Sequence, residues 1–152
     1  MNDDRRRSVL LLAALSLAGV ARYSEAASPL PIPHALSPTP SPKTQYVVFF
    51  DFMKADISPE AASILSTVAQ TAKDNSFRHA KVVGHADRIG AANVNVALSE
   101  QRAVSVKAEL VKDGLDEASI TTEGKGFFDP LVSTSLGVRE PHNRRAAIVI
   151  SR

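Results

Sequence analysis

The chain contains no cysteine. That excludes disulfides, thiolate metal sites, a cysteine nucleophile and a lipid-bearing N-terminal cysteine. The fold must therefore rest on core packing, which a domain of about 105 residues sustains because roughly two-thirds of its surface is buried at that size. The folded part also lacks a charge surplus. From Tyr46 onward, 13 Lys and Arg balance 13 Asp and Glu, so the formal net charge of +2 comes from the segment before it. A neutral domain without a basic run is a poor nucleic-acid binder, since such binding neutralises many phosphates. No Gly-x-Ser-x-Gly is present, and no nucleophile has a recognisable base beside it. Gly124-Lys125-Gly126 lacks the remaining residues of a phosphate loop.

No apolar run is long enough to be expected to span a membrane after processing. The run from Ser8 to Val20 has 13 residues, against the ~20 a helical span needs. With Arg5-Arg6-Arg7 before it and Ser24-Glu25-Ala26 after it, residues 1–26 read as a secretory signal peptide, with an uncleaved anchor as the alternative. The mature protein is then expected to begin near Ala27, in the periplasm. Residues 27–45 contain Pro29, Pro31, Pro33, Pro38, Pro40 and Pro42, which fix φ and remove backbone donors, so they read as an extended linker. In the polyproline conformation this stretch reaches roughly 40–50 Å.

Residues 46–152 read as one folded domain. Tyr46-Val47-Val48-Phe49-Phe50 is an aromatic and β-branched run, hence a buried strand. Ser58-Pro59 is a helix cap followed by a first-turn proline. Ala61, Ile64, Leu65, Val68 and Ala72 then recur at helical spacing along one face. Ala80 to Val83 is a second strand. Ala91 to Lys112 is a second helix, with Val96, Ala103, Val106 and Leu110 turned inward and Gly114 past its end. Ser119 to Glu123 alternates as a strand, residues 124–143 form a loop, and Arg145 to Ile150 is the last strand. The order β-α-β-α-β-loop-β predicts an α/β sandwich, a four-stranded mixed sheet with helices packed on it.

Chemistry concentrates after the second strand, where such folds place ligand sites. Gly84-His85-Ala86-Asp87-Arg88-Ile89-Gly90 forms a loop with glycine at both ends, and Asn95, Leu98-Ser99 and Arg102-Ala103 follow on the helix. An acid at the loop and a guanidinium on the helix suit a zwitterion, one holding an ammonium and the other a carboxylate. The same two residues also suit an ion pair that pins loop to helix.

These residues, with Val48-Phe49-Phe50-Asp51-Phe52, Pro59-Glu60, Gly124-Lys125-Gly126, Pro130 and Asn143-Arg144-Arg145, resemble the C-terminal, peptidoglycan-associating domain of the outer-membrane protein A family. The resemblance covers about 105 residues. It implies non-catalytic binding of peptidoglycan, with Asp87 and Arg102 gripping the diaminopimelate of the stem peptide. Asn95 and Leu98 would shape the pocket wall, and Arg144 or Arg145 would support it. The family usually carries Asp or Asn where this chain has Met53, and Asp51 would substitute if its strand continues far enough to turn it to the same side. No cofactor is implied, and any link to a membrane would run through an envelope protein partner.

Two other readings remain open at this level. A His85–Asp87 acid/base pair would suit a wall hydrolase, which incubation with muropeptides would detect. A protein-interaction module that kept the fold and lost the ligand would fail to bind sacculi. His79, His85, Asp87 and His142 are spaced poorly for a metal, and no metal site is expected.

Overall fold

A computed structural model of the protein describes residues 43–152. The expected signal peptide and residues 27–42 of the expected linker lie outside this range. Six main elements follow in order: β1 (Lys43–Phe49), α1 (Pro59–Asp74), β2 (His79–Gly84), α2 (Ala92–Lys112), β3 (Ile120–Gly124) and β4 (Arg145–Ser151). The sheet order is β1-β4-β2-β3. β4 lies antiparallel to both β1 and β2, while β2 and β3 are parallel, so the sheet is mixed as expected.

β1 starts three residues before the apolar run and stops one residue short of its end. Lys43, Thr44 and Gln45 pair with Ser151, Ile150 and Val149, so the partner strand extends β1 into polar sequence that periodicity alone assigns to the linker. At the other end, the ladder stops at Phe49, and Asp51 already lies in a turn.

α1 begins where the sequence places it. Ser58 is extended and its Oγ accepts from Ala61 N at 3.2 Å, with Pro59 in the first turn. Ala61, Leu65, Val68, Ala69 and Ala72 form its buried face, whereas Ile64 sits at the margin, 37% exposed. On β4, Ala146, Ile148 and Ile150 alternate into the core and join Val48, Val82, Leu65, Val106 and Leu110 in one apolar cluster. Both helices contribute to this cluster, so a single helical layer covers one face of the sheet.

α2 changes chemistry along its buried face. Ala103, Val106 and Leu110 pack into the core, but Asn95, Ser99 and Arg102, nearer its start, are buried polar residues. The start of α2 lies directly against the strand ends. A Cβ on Gly84 would come 1.8 Å from Ser99 O, and one on Gly124 would come 2.6 Å from Glu100 N. Only glycine permits that approach, and it sets the polar half of α2 beside the ends of β2 and β3.

Candidate functional site

The backbone leading to Asp87 is held from both sides. His85 N donates to Arg145 O at 2.8 Å, Lys125 N donates to Gly84 O at 3.0 Å, and Ala86 N donates to Gly126 O at 2.8 Å. Asn95 closes the loop from the helix side, its Nδ2 donating to Ile89 O at 2.7 Å and to Ala91 O at 3.1 Å. Asn95 thus clamps the loop through its amide nitrogen. Leu98 is buried one turn later on the same helix.

Arg102 is fully buried, at 0% exposure. All three of its guanidinium nitrogens donate to main-chain carbonyls: Nε to Lys54 O at 2.8 Å, Nη1 to His85 O at 2.8 Å and Nη2 to Asp51 O at 3.1 Å. Its charge also lies 5.2 Å from the centre of the Phe50 ring. Burial pushes its pKa down to about 10, Asp87 opposes that shift, and Arg144 adds to it. The ion pair suggested between Asp87 and Arg102 is not the one formed. Asp87 Oδ2 instead accepts from Arg144 Nη1 at 3.3 Å, and Arg144 Nε donates to Phe50 O at 3.1 Å. The physical reason is that β1 ends at Phe49, leaving carbonyls of the following turn without strand partners, and Arg102 satisfies them.

Asp51 also departs from expectation. Because the strand has ended, its carboxylate faces solvent, 79% exposed, beside Lys54 Nζ at 3.4 Å. It does not replace the missing acid at Met53, and only its carbonyl reaches the buried cluster. Met53 itself has φ of 57°, the left-handed region that asparagine and aspartate tolerate better than methionine. Arg145, the other candidate of the final motif, turns elsewhere, its Nη2 donating to Asp129 O at 3.3 Å. His85 is buried beside it, and burial first, then the Arg145 charge, pushes its pKa down to about 4.

Asp87, Arg102 and Arg144 therefore form one buried cluster with one carboxylate and two guanidiniums. Of the two cations, Arg144 is the less confined, with its side chain 14% exposed and paired to Asp87 at a long 3.3 Å. Nearby, a cleft of about 500 Å³ opens between β1 and α1, lined by Phe50, Asp51, Lys54, Asp56 and Glu60 among others. It shares the very turn whose carbonyls hold Arg102 and Arg144. Two loop braces escaped the sequence reading. Arg88 Nη1 donates to Thr134 O at 2.6 Å, and the Arg139 guanidinium lies 4.0 Å from the centre of the Phe52 ring. Arg139 lies outside every motif quoted above, and Arg88, inside the loop motif, reaches a carbonyl 46 residues away that spacing does not reveal.

The OmpA family model matches residues 49–144 of this chain. The chain belongs to the OmpA family. It is 39% identical over 126 residues to outer membrane protein A of Bordetella avium, covering 80% of this chain and 65% of that protein. The chain thus spans about two-thirds of that relative and only 31% of a 37%-identical outer membrane protein from Gluconacetobacter diazotrophicus. Among solved structures, it is similar to the peptidoglycan-associated lipoprotein of Burkholderia pseudomallei, with a TM-score of 0.64 and 28% identity over 69% of this chain and 89% of that one. The OmpA-like domain of FopA1 from Francisella tularensis gives a TM-score of 0.66 at 25% identity, covering 72% of each chain. The match encloses every residue of the buried charge cluster.

Proposed function

We propose that this OmpA-like domain binds cell-wall peptidoglycan non-covalently in the periplasm, through the free amino-acid end of diaminopimelate in the stem peptide. The observation that carries this reading is the composition of the buried cluster, one carboxylate, Asp87, against two guanidiniums, Arg102 and Arg144. A ligand carboxylate balances the surplus cation, and a ligand ammonium takes the place of Arg144 beside Asp87. The zwitterion slots into an ion pair that is already loose, and Arg144 turns from Asp87 to the incoming carboxylate. Arg102 supplies positive field from below and holds the turn at Asp51 and Lys54 in place. Similarity to a protein named for its peptidoglycan association supports the same ligand.

The role is binding without catalysis. Asp87 is paired with Arg144, and His85 Nδ1 is buried without a hydrogen-bond partner among the described residues. An acid/base dyad between the two would require that pairing to be exchanged. No helix among the described residues is long and apolar enough to cross a membrane.

A second reading, a protein-interaction module, draws on the loop before β4, where Phe128 and Leu136 are 68% and 69% exposed. On that reading the domain keeps the fold, has lost the wall ligand and takes an envelope protein partner instead. Co-sedimentation of the full chain with isolated sacculi separates the two readings. The wild type should pellet with sacculi, and Asp87→Ala, if folded, should remain in the supernatant. Equal pelleting of both proteins would remove Asp87 from the binding site.

A further inference from the structure

Ser99 stands apart from the charge cluster yet connects to it through two short bonds. Its hydroxyl donates to Val96 O at 2.7 Å, which orients the oxygen so that it accepts from Gly126 N at 2.8 Å. Gly126 O in turn accepts from Ala86 N at 2.8 Å, the residue immediately before Asp87. Ser99 is 0% exposed, so no water competes for its oxygen. Gly126 holds φ of 56°, and a Cβ there would approach Val96 Cγ2 to 3.0 Å and Val96 N to 3.2 Å. The contact between α2 and the loop after β3 is thus a fixed seat.

The geometry points to Ser99 as a positioning residue for Asp87, acting through the Gly126 peptide and never touching the ligand. The chain of bonds runs from the first half of α2 to the loop after β3 and back to the loop after β2. Arg102 lies three residues beyond Ser99 on α2 and fixes His85 O at 2.8 Å. One helix therefore sets the segment before Asp87 from two directions, at His85 O and at Ala86 N. Losing the Ser99 acceptor leaves Gly126 N buried without its partner. The Ala86 amide then loses its fixed acceptor, and the Asp87 carboxylate loses its defined distance to Arg144. The inference rests on the peptidoglycan reading above, and adds to it a residue that works by alignment alone.

The test uses full-length protein and isolated sacculi, with three proteins compared well below their melting temperatures. Ser99→Ala should weaken co-sedimentation roughly fivefold to tenfold, the effect of about one hydrogen bond. Val106→Ala, a core change on the same helix, should lower Tm at least as much and leave binding unchanged. Hydrogen exchange at the Gly126 amide should accelerate in Ser99→Ala and not in Val106→Ala. If Ser99→Ala does not fold, Ser99→Cys keeps the volume and replaces the oxygen with a weak acceptor. Binding equal to wild type in the folded serine variant overturns the role of Ser99, as does an equal loss in Val106→Ala. A wild-type protein that fails to pellet overturns the peptidoglycan reading instead, and this inference with it.

Discussion

Replacing Arg102 by Met sets two large opposing energies against each other. The substitution removes three hydrogen bonds from a charged donor, to Lys54 O, His85 O and Asp51 O. At about 1.5–3 kcal/mol for each bond of this kind, they contribute roughly 5–9 kcal/mol. Burying the charge opposes them. Burial pushes the Arg102 pKa down to about 10, well below the ordinary guanidinium value, and at 1.36 kcal/mol per pKa unit this costs about 3 kcal/mol. The net loss for Arg102→Met is therefore about 2–6 kcal/mol. In a domain of this size each kcal/mol moves Tm by about 4–8 °C, so a fall of at least roughly 10 °C is expected. The contrast is Arg144→Ala, which removes one bond to Phe50 O and one long contact to Asp87 from a partly exposed side chain. Thermal and urea unfolding of both variants, read alongside sacculus binding, separates the two arginines. Arg102→Met should lose stability first, and Arg144→Ala should lose binding while keeping most of its stability. A Tm for Arg102→Met within about 2 °C of wild type would refute the assignment of Arg102 as the tie of the β1 turn.

Other outcomes follow from single residues. Stem peptides differing only at the third residue should bind about 30- to 150-fold differently by calorimetry, diaminopimelate over lysine, because lysine leaves a guanidinium without its carboxylate. In Arg144→Ala that preference should shrink. Met53→Asn should raise stability by about 0.5–1 kcal/mol in urea unfolding, since asparagine better tolerates φ of 57°. His85 is depressed to about 4 in the folded protein, below its unfolded value near 6.5. The unfolded chain thus binds more protons between these values, so stability should fall as pH drops from about 6.5 to 4. His85→Gln should flatten that part of the profile of Tm against pH, and an unchanged slope would assign the loss to other groups.

The element order was legible because hydrophobic period separates helix from strand at every step. Ser58-Pro59 and Gly114 marked boundaries that the backbone reproduces. Sheet order was not legible. The last strand inserts between β1 and β2, a choice made by packing among distant segments, and it also recruits Lys43–Gln45 into β1. The site was legible as a set of residues and illegible as a set of partners. Asp87, Arg102, Asn95 and Arg144 do gather at one end of the sheet. Their pairing depends on which main-chain carbonyls are left without donors once β1 ends, and side-chain spacing carries no record of that. The resemblance implies a ligand for Arg102, while the carbonyls of Asp51, Lys54 and His85 that engage its guanidinium leave no trace in the sequence.

The antiparallel pairing of β1 with β4 has a mechanical consequence. The chain enters the domain at Lys43, and the proposed wall contact lies beyond the other end of the same strand, where Phe50 O holds Arg144. The seven residues of β1 separate these points by about 20 Å at the rise of an extended strand. Tension between a tether on the Lys43 side and a wall gripped at Arg144 runs along β1, parallel to the strand. The seven pairs from Lys43–Ser151 to Phe49–Arg145 are then loaded in shear and must yield together, whereas a pull across the sheet would unzip them one at a time. If the wall is gripped at Arg144, the domain resists best a pull applied along β1 from the Lys43 side.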